Sequence, residues 1–100
     1  MALEDPGNDV FLSAASVWEA GLKAATGRLR LDAPLVPAAR QAGIAELPVT
    51  WRDAERATAL PAVHRDPFDR LLVAQALNET LVVVTRDPLV RQYVVPTLLA

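Results

Sequence analysis

Asp66-Pro67-Phe68-Asp69-Arg70-Leu71-Leu72-Val73-Ala74-Gln75-Ala76, followed closely by Leu81-Val82-Val83-Val84, is the stretch that decides the fold. Aspartate ahead of proline is a strong helix start, with Asp66 as N-cap and Pro67 at the first helical position. The helix so begun carries Phe68, Leu71, Leu72 and Ala76 on one face and is expected to end near Asn78. The apolar, largely β-branched run that follows suits a strand buried on both faces of a parallel sheet.

Outward from this pair the same alternation continues. Downstream, Asp87-Pro88 starts another short helix and Pro96 closes the last one. Upstream, Pro61 to Arg65 reads as loop. Thr50-Trp51-Arg52-Asp53 reads as a capping box opening a helix to about Leu60. Ile44 to Leu47 is a short strand candidate, preceded by a helix from about Pro34 to Ala42 that stops at Gly43. Arg28 to Leu31 is an extended connection. Ala14 to Ala25 reads as a helix with Val17, Trp18, Gly21, Leu22 and Ala25 on one face, closed by Gly27. Val10-Phe11-Leu12 is a short strand, and Asp5-Pro6-Gly7-Asn8 a turn. Strands alternating with helices argue an α/β architecture, in which ligands sit at the carboxyl ends of the strands.

The chain has 100 residues, enough for one domain spanning 1–100 with a thin core. Hydrophobic residues make up 52% and charged residues 22%, which excludes a disordered chain. A net charge of −2 restricts nucleic-acid binding to local patches. Cysteine is absent, which removes disulfides, thiolate metal sites and cysteine nucleophiles and fits a reducing compartment. No apolar run approaches the roughly 18 residues of a membrane span, and the first residues lack signal-peptide character, so the expected location is cytoplasmic. Every basic residue except Lys23 is arginine. That bias suits bidentate phosphate contacts and equally reflects the codon usage of a base-rich genome.

Three acids follow this framework: Glu19 behind the first strand, Asp69 at the start of the decisive helix, and Asp87 behind Val82–Val84. If they converge, each like-charge pair at ~4 Å costs ~4 kcal/mol at an effective dielectric of about 20. Such a cluster protonates or binds a cation, and all-oxygen ligation suits Mg²⁺ or Mn²⁺. Carboxylate-held divalent ions serve phosphodiester attack by polarising the phosphoryl oxygen and activating water. Each acid also has a purely structural reading. Glu19 is placed to complete a capping box with Ser16 or to pair with Lys23. Asp69 suits the helix dipole at its third position, and Asp87 is a natural N-cap.

The remaining candidates carry less. His64, the one histidine, reads as a solvated loop residue. The four glycines are scattered and form no phosphate loop. Trp18, Trp51 and Phe68 lie on helical faces and are expected in the core. Arg65, Arg70 and Arg86 each neighbour an acid, which fits either RNA phosphate contacts or local charge balance.

Three blocks together resemble the PIN-domain ribonucleases of the VapC toxin type. They are Val10-Phe11-Leu12-Ser13-Ala14-Ala15-Ser16-Val17-Trp18-Glu19 with Lys23 and Gly27-Arg28-Leu29, then His64 through Ala76, then Leu81-Val82-Val83-Val84-Thr85-Arg86-Asp87. The resemblance implies helices around a short parallel sheet and Mg²⁺- or Mn²⁺-dependent RNA cleavage. It also implies a toxin role with a small antitoxin bound over the active site, and a homodimer. By motif, Glu19 matches the family's second acid, Asp69 its third and Asp87 its fourth. Thr85 matches the hydroxyl that supports the site, and Asp66 remains a helix cap.

The family pattern begins with a strand ending in the first acid, in an Asp-Thr-His or Asp-Thr-Asn setting. Asp5 and Asp9 precede the first strand here and do not substitute for it. The chain is therefore expected to be N-terminally truncated, with the middle of its sheet missing and the neighbouring strands unpaired. Two functions follow from that expectation. One is a ribonuclease working with three of the four acids. The other is a catalytically impaired module that binds only an antitoxin or partner chain. If all three acids were caps, their carboxylates would point apart.

Overall fold

A computed structural model describes residues 2–4, 9–62, 65–85 and 97–99. The elements are β1 (Ala2–Glu4), β2 (Val10–Ser13), α1 (Ala14–Ala25), α2 (Leu35–Gln41), β3 (Ala45–Leu47), α3 (Trp51–Ala59), α4 (Pro67–Glu79), β4 (Val82–Thr85) and β5 (Thr97–Leu99). The architecture is α/β, as the alternation predicts. The expected turn at 5–8, His64, Arg86, Asp87 and the helix expected after Asp87 lie outside the described residues.

Helix boundaries follow local chemistry closely. Asp66 caps α4, its carboxylate accepting from the amides of Phe68 at 2.8 Å and Asp69 at 3.4 Å. Thr50 and Asp53 form the expected capping box on α3, at 3.2 Å and 2.9 Å. At the end of α1, Gly27 adopts φ +74, the left-handed conformation that glycine reaches without penalty. The following amide, of Arg28, then donates back to the Lys23 carbonyl at 2.8 Å.

The five strands form one sheet in the order β3-β2-β1-β4-β5. β2 with β3, and β4 with β5, pair in parallel. β1 lies between the two pairs and runs antiparallel to both, with Leu3 opposite Phe11 on one side and Val83 on the other. The unpaired gap expected in the middle of the sheet is therefore filled. Three residues too short to stand out in the sequence find two partner strands at once, and the backbone groups of both gain a ladder. β2, β3, β4 and β5 all point the same way, so Ser13 and Thr85 end at one edge. Glu4, opposite Val10 and Val82, ends at the other.

The core joins Leu3, Leu72, Val73, Ala76, Leu81 and Val83, so α4 lies directly on β1 and β4. α1 and α3 pack against α4. Residues Leu72 to Ala76 of α4 are all buried, Gln75 among them. Between α3 and α4, buried Asp53 also accepts from Asn78 at 2.8 Å, and Arg56 donates to Asn78 at 3.2 Å. Two expectations about aromatic residues fail. Trp18 is 62% exposed and Trp51 is 90% exposed. The apolar stripe of α1 faces outward because the opposite face, with Ser16 buried and Glu19 half-buried, turns toward α4.

Leu3→Ala is expected to lower stability by about 2–5 kcal/mol in urea unfolding, the range for a fully buried leucine. Trp51→Ala, at an exposed site, should stay within about 0.5 kcal/mol. Equal, small effects would show that β1 does not occupy the middle of the sheet.

Candidate metal centre

The site is built where α1 passes the start of α4. Ser13 ends β2 and caps α1, its hydroxyl accepting from the Ala15 amide at 3.1 Å. The helix therefore begins before Ser16, so Glu19 is not the partner of a capping box there. It sits mid-helix, 3.6 Å from Lys23. Such an i,i+4 helix pair is worth only about 0.3–0.5 kcal/mol.

Glu19, Asp66 and Asp69 each bring a carboxylate oxygen within 4.8 Å of the others. Glu19 and Asp69 thus meet, though fifty residues separate them along the chain. The reading in which every acid caps its own helix and points away does not hold for this pair. Asp66 does cap α4 as the sequence implied. It also belongs to the cluster, a role that the sequence reading missed. Its signal was its spacing: three residues before Asp69, it lies one helical turn away, at the same end of α4. Thr85 is the last residue of β4, and Asp87 lies beyond it, outside the described residues.

The donor set fits a hard divalent cation. Ligands opposite each other on an octahedral Mg²⁺ stand about 4.2 Å apart, twice the usual ligand distance. Oxygens no more than 4.8 Å apart reach that spacing with small side-chain movements. Left alone at 4.8 Å, each pair of charges repels by about 3.5 kcal/mol at an effective dielectric of 20. Lys23 offsets little of this from a side chain 43% exposed.

Beside Glu19 and Asp69 in sequence, Trp18 and Phe68 meet edge to face across α1 and α4, with ring centroids 5.0 Å apart. Arg70 reaches from α4 to the end of α3. Its guanidinium donates to the carbonyls of Ala57 at 2.7 Å, Leu60 at 2.9 Å and Pro61 at 3.0 Å, closing the C-terminal end of α3. A separate cavity of about 180 Å³ is lined by Leu12, Val17, Val36, Ala39 and Ile44, with Arg40 and Glu46, and contains none of the clustered acids.

A family model described as PIN domain matches residues 2–94 of the chain. No curated protein and no solved structure matches it significantly.

Saturating Mn²⁺ should raise the unfolding free energy by about 2.7 kcal/mol at a hundred times its dissociation constant. Glu19→Gln should abolish most of that gain. In chelator the same variant should be at least as stable as the native chain, because a like charge is gone. Calorimetric unfolding with and without Mn²⁺ checks both.

Proposed function

Because the chain belongs to the PIN-domain family, we propose that it is a metal-dependent endoribonuclease of the VapC toxin type, acting on RNA phosphodiester bonds. In this reading Glu19, Asp69 and Asp87 hold Mg²⁺ or Mn²⁺, and the Thr85 hydroxyl supports them. The observation that carries it is the convergence of Glu19 with Asp69 on two packed helices. The strand directions support the rest: β4 ends in Thr85 at the same edge where β2 leads into α1. Asp87, two residues further on, is proposed to join the pocket from there.

When bound, such an ion supplies charge neutralisation at the phosphoryl oxygens and a water more readily deprotonated. The chain's own residues orient and confine. Asp66 fixes the first turn of α4 through its cap and so fixes where Asp69 stands. Trp18 and Phe68 join α1 to α4 by an edge-to-face contact. Arg65 and Arg86 are the arginines proposed to receive RNA phosphates, since Arg70 is engaged with α3. A small antitoxin covering the pocket, a homodimer and a cytoplasmic location complete the proposal, all on the resemblance to the toxin type. Consistent with that location, no helix among the described residues is long and apolar enough to cross a membrane.

One observation favours the second reading, an impaired module that binds an antitoxin or partner chain without cleaving RNA. β1 holds the middle of the sheet but runs antiparallel, so its one acid, Glu4, ends at the edge away from the pocket. Among the described residues, the clustered acids come only from α1 and the start of α4.

The two readings separate in one assay. With Mn²⁺, the native chain should cleave structured RNA, and Asp69→Asn and Asp87→Ala should each slow cleavage by about a hundredfold or more. Native and variant chains that are equally inactive, with partner binding retained, would establish the impaired module.

A further inference from the structure

Ser13 and Gln75 are both fully buried, and the Ser13 hydroxyl donates to Gln75 Oε1 at 2.6 Å. The direction of this bond is dictated by its surroundings. Gln75 Nε2 donates to the Pro48 carbonyl at 3.1 Å, and a carbonyl can only accept. The amide oxygen must therefore face Ser13, and Ser13 must donate its one proton there. Its lone pairs remain for the Ala15 amide at the start of α1. Every polar atom of this group has a partner, and each partner belongs to a different segment: the start of α1, the middle of α4 and the connection after β3.

The position of the group relative to the carboxylates matters. Ser13 stands six residues before Glu19, and Gln75 six residues after Asp69. α1 and α4 therefore pass antiparallel and touch at two levels about 9 Å apart along the helices. At one level the contact is neutral and attractive. At the other it joins acids that repel. Six residues are also one and two-thirds turns, so Gln75 and Asp69 leave α4 about 120° apart. A bond at Gln75 thus restrains the roll of α4 as well as its distance from α1.

We infer that Ser13 and Gln75 are positioning residues for the metal centre: their buried hydrogen bond holds α1 against α4 so that Glu19 and Asp69 stay at ligand spacing against their own repulsion. This deepens the ribonuclease reading and rests on it. The two residues touch neither substrate nor ion.

The test uses the full chain carrying Trp51→Phe, which leaves Trp18 as its one tryptophan. Trp18 packs on Phe68 across the same two helices, so its near-ultraviolet circular dichroism reports their spacing without any metal. Gln75→Leu and Ser13→Ala should each diminish that band in chelator. Each should weaken calorimetric Mn²⁺ binding by about tenfold, the low end for outer-shell changes at metal sites. Ser13→Thr keeps the hydroxyl and should bind Mn²⁺ within about twofold of the parent. Val83→Ala thins the apolar packing beneath α4 but removes no polar bond at the start of α1, so it should lose stability while keeping both the band and the Mn²⁺ affinity. Folded Gln75→Leu or Ser13→Ala with parental band and affinity would overturn the inference, as would Val83→Ala shifting both as far. If the parent binds no Mn²⁺ saturably, the metal-centre reading falls, and the inference with it. An undiminished band in that case would show separately that the bond does not set the helix spacing either.

Discussion

Three carboxylates gathered within a few ångströms repel one another, and the rest of the structure has to hold them there. Packing does most of that. α4 is buried along Leu72 to Ala76 against β1 and β4, and α1 and α3 close over it. A helix enclosed on several sides cannot swing its first turn away, so Asp66 and Asp69 stay fixed in space. α1 is held less completely, since its outward face carries Trp18 and Leu22 into solvent. The attachments of α1 near its start therefore carry more of the load than its packing area suggests.

The sheet supplies the second constraint. Placing β1 antiparallel between two parallel pairs lets four strands deliver their carboxyl ends to one edge. That edge receives the start of α1 and the end of β4, which leads toward the Asp87 proposed for the site. The same arrangement places Glu4 at the opposite edge, so one short strand completes the sheet while running against its neighbours.

Much of this was legible in the residues. Asp66-Pro67, Thr50 with Asp53, and Gly27 mark helix ends because capping is local chemistry, decided within four residues. The run at Val82–Thr85 announced its strand for the same reason. What could not be read was set by partners distant in sequence. β1 is three residues long, and only pairing on both sides makes it a strand. The stripe Trp18–Leu22 has core periodicity, yet α1 turns Ser16 and Glu19 toward α4 and leaves Trp18 and Leu22 exposed. Local patterning fails where a distant helix decides which face turns inward. Gln75, the single polar residue in Leu71–Leu77, was the visible clue to a buried polar contact. Its partner Ser13 lies sixty-two residues away and leaves no mark in the sequence.

The direction of β1 has a practical corollary for handling the molecule. The strand starts beside the end of β4, with Ala2 opposite Val84, and β5 finishes at that edge too, with Leu98 opposite Val84 on the far side. Ala2 and Leu98 stand two strand spacings apart, about 10 Å. A peptide handle placed directly ahead of β1 or behind β5 would therefore leave the sheet at the edge where β2 leads into α1.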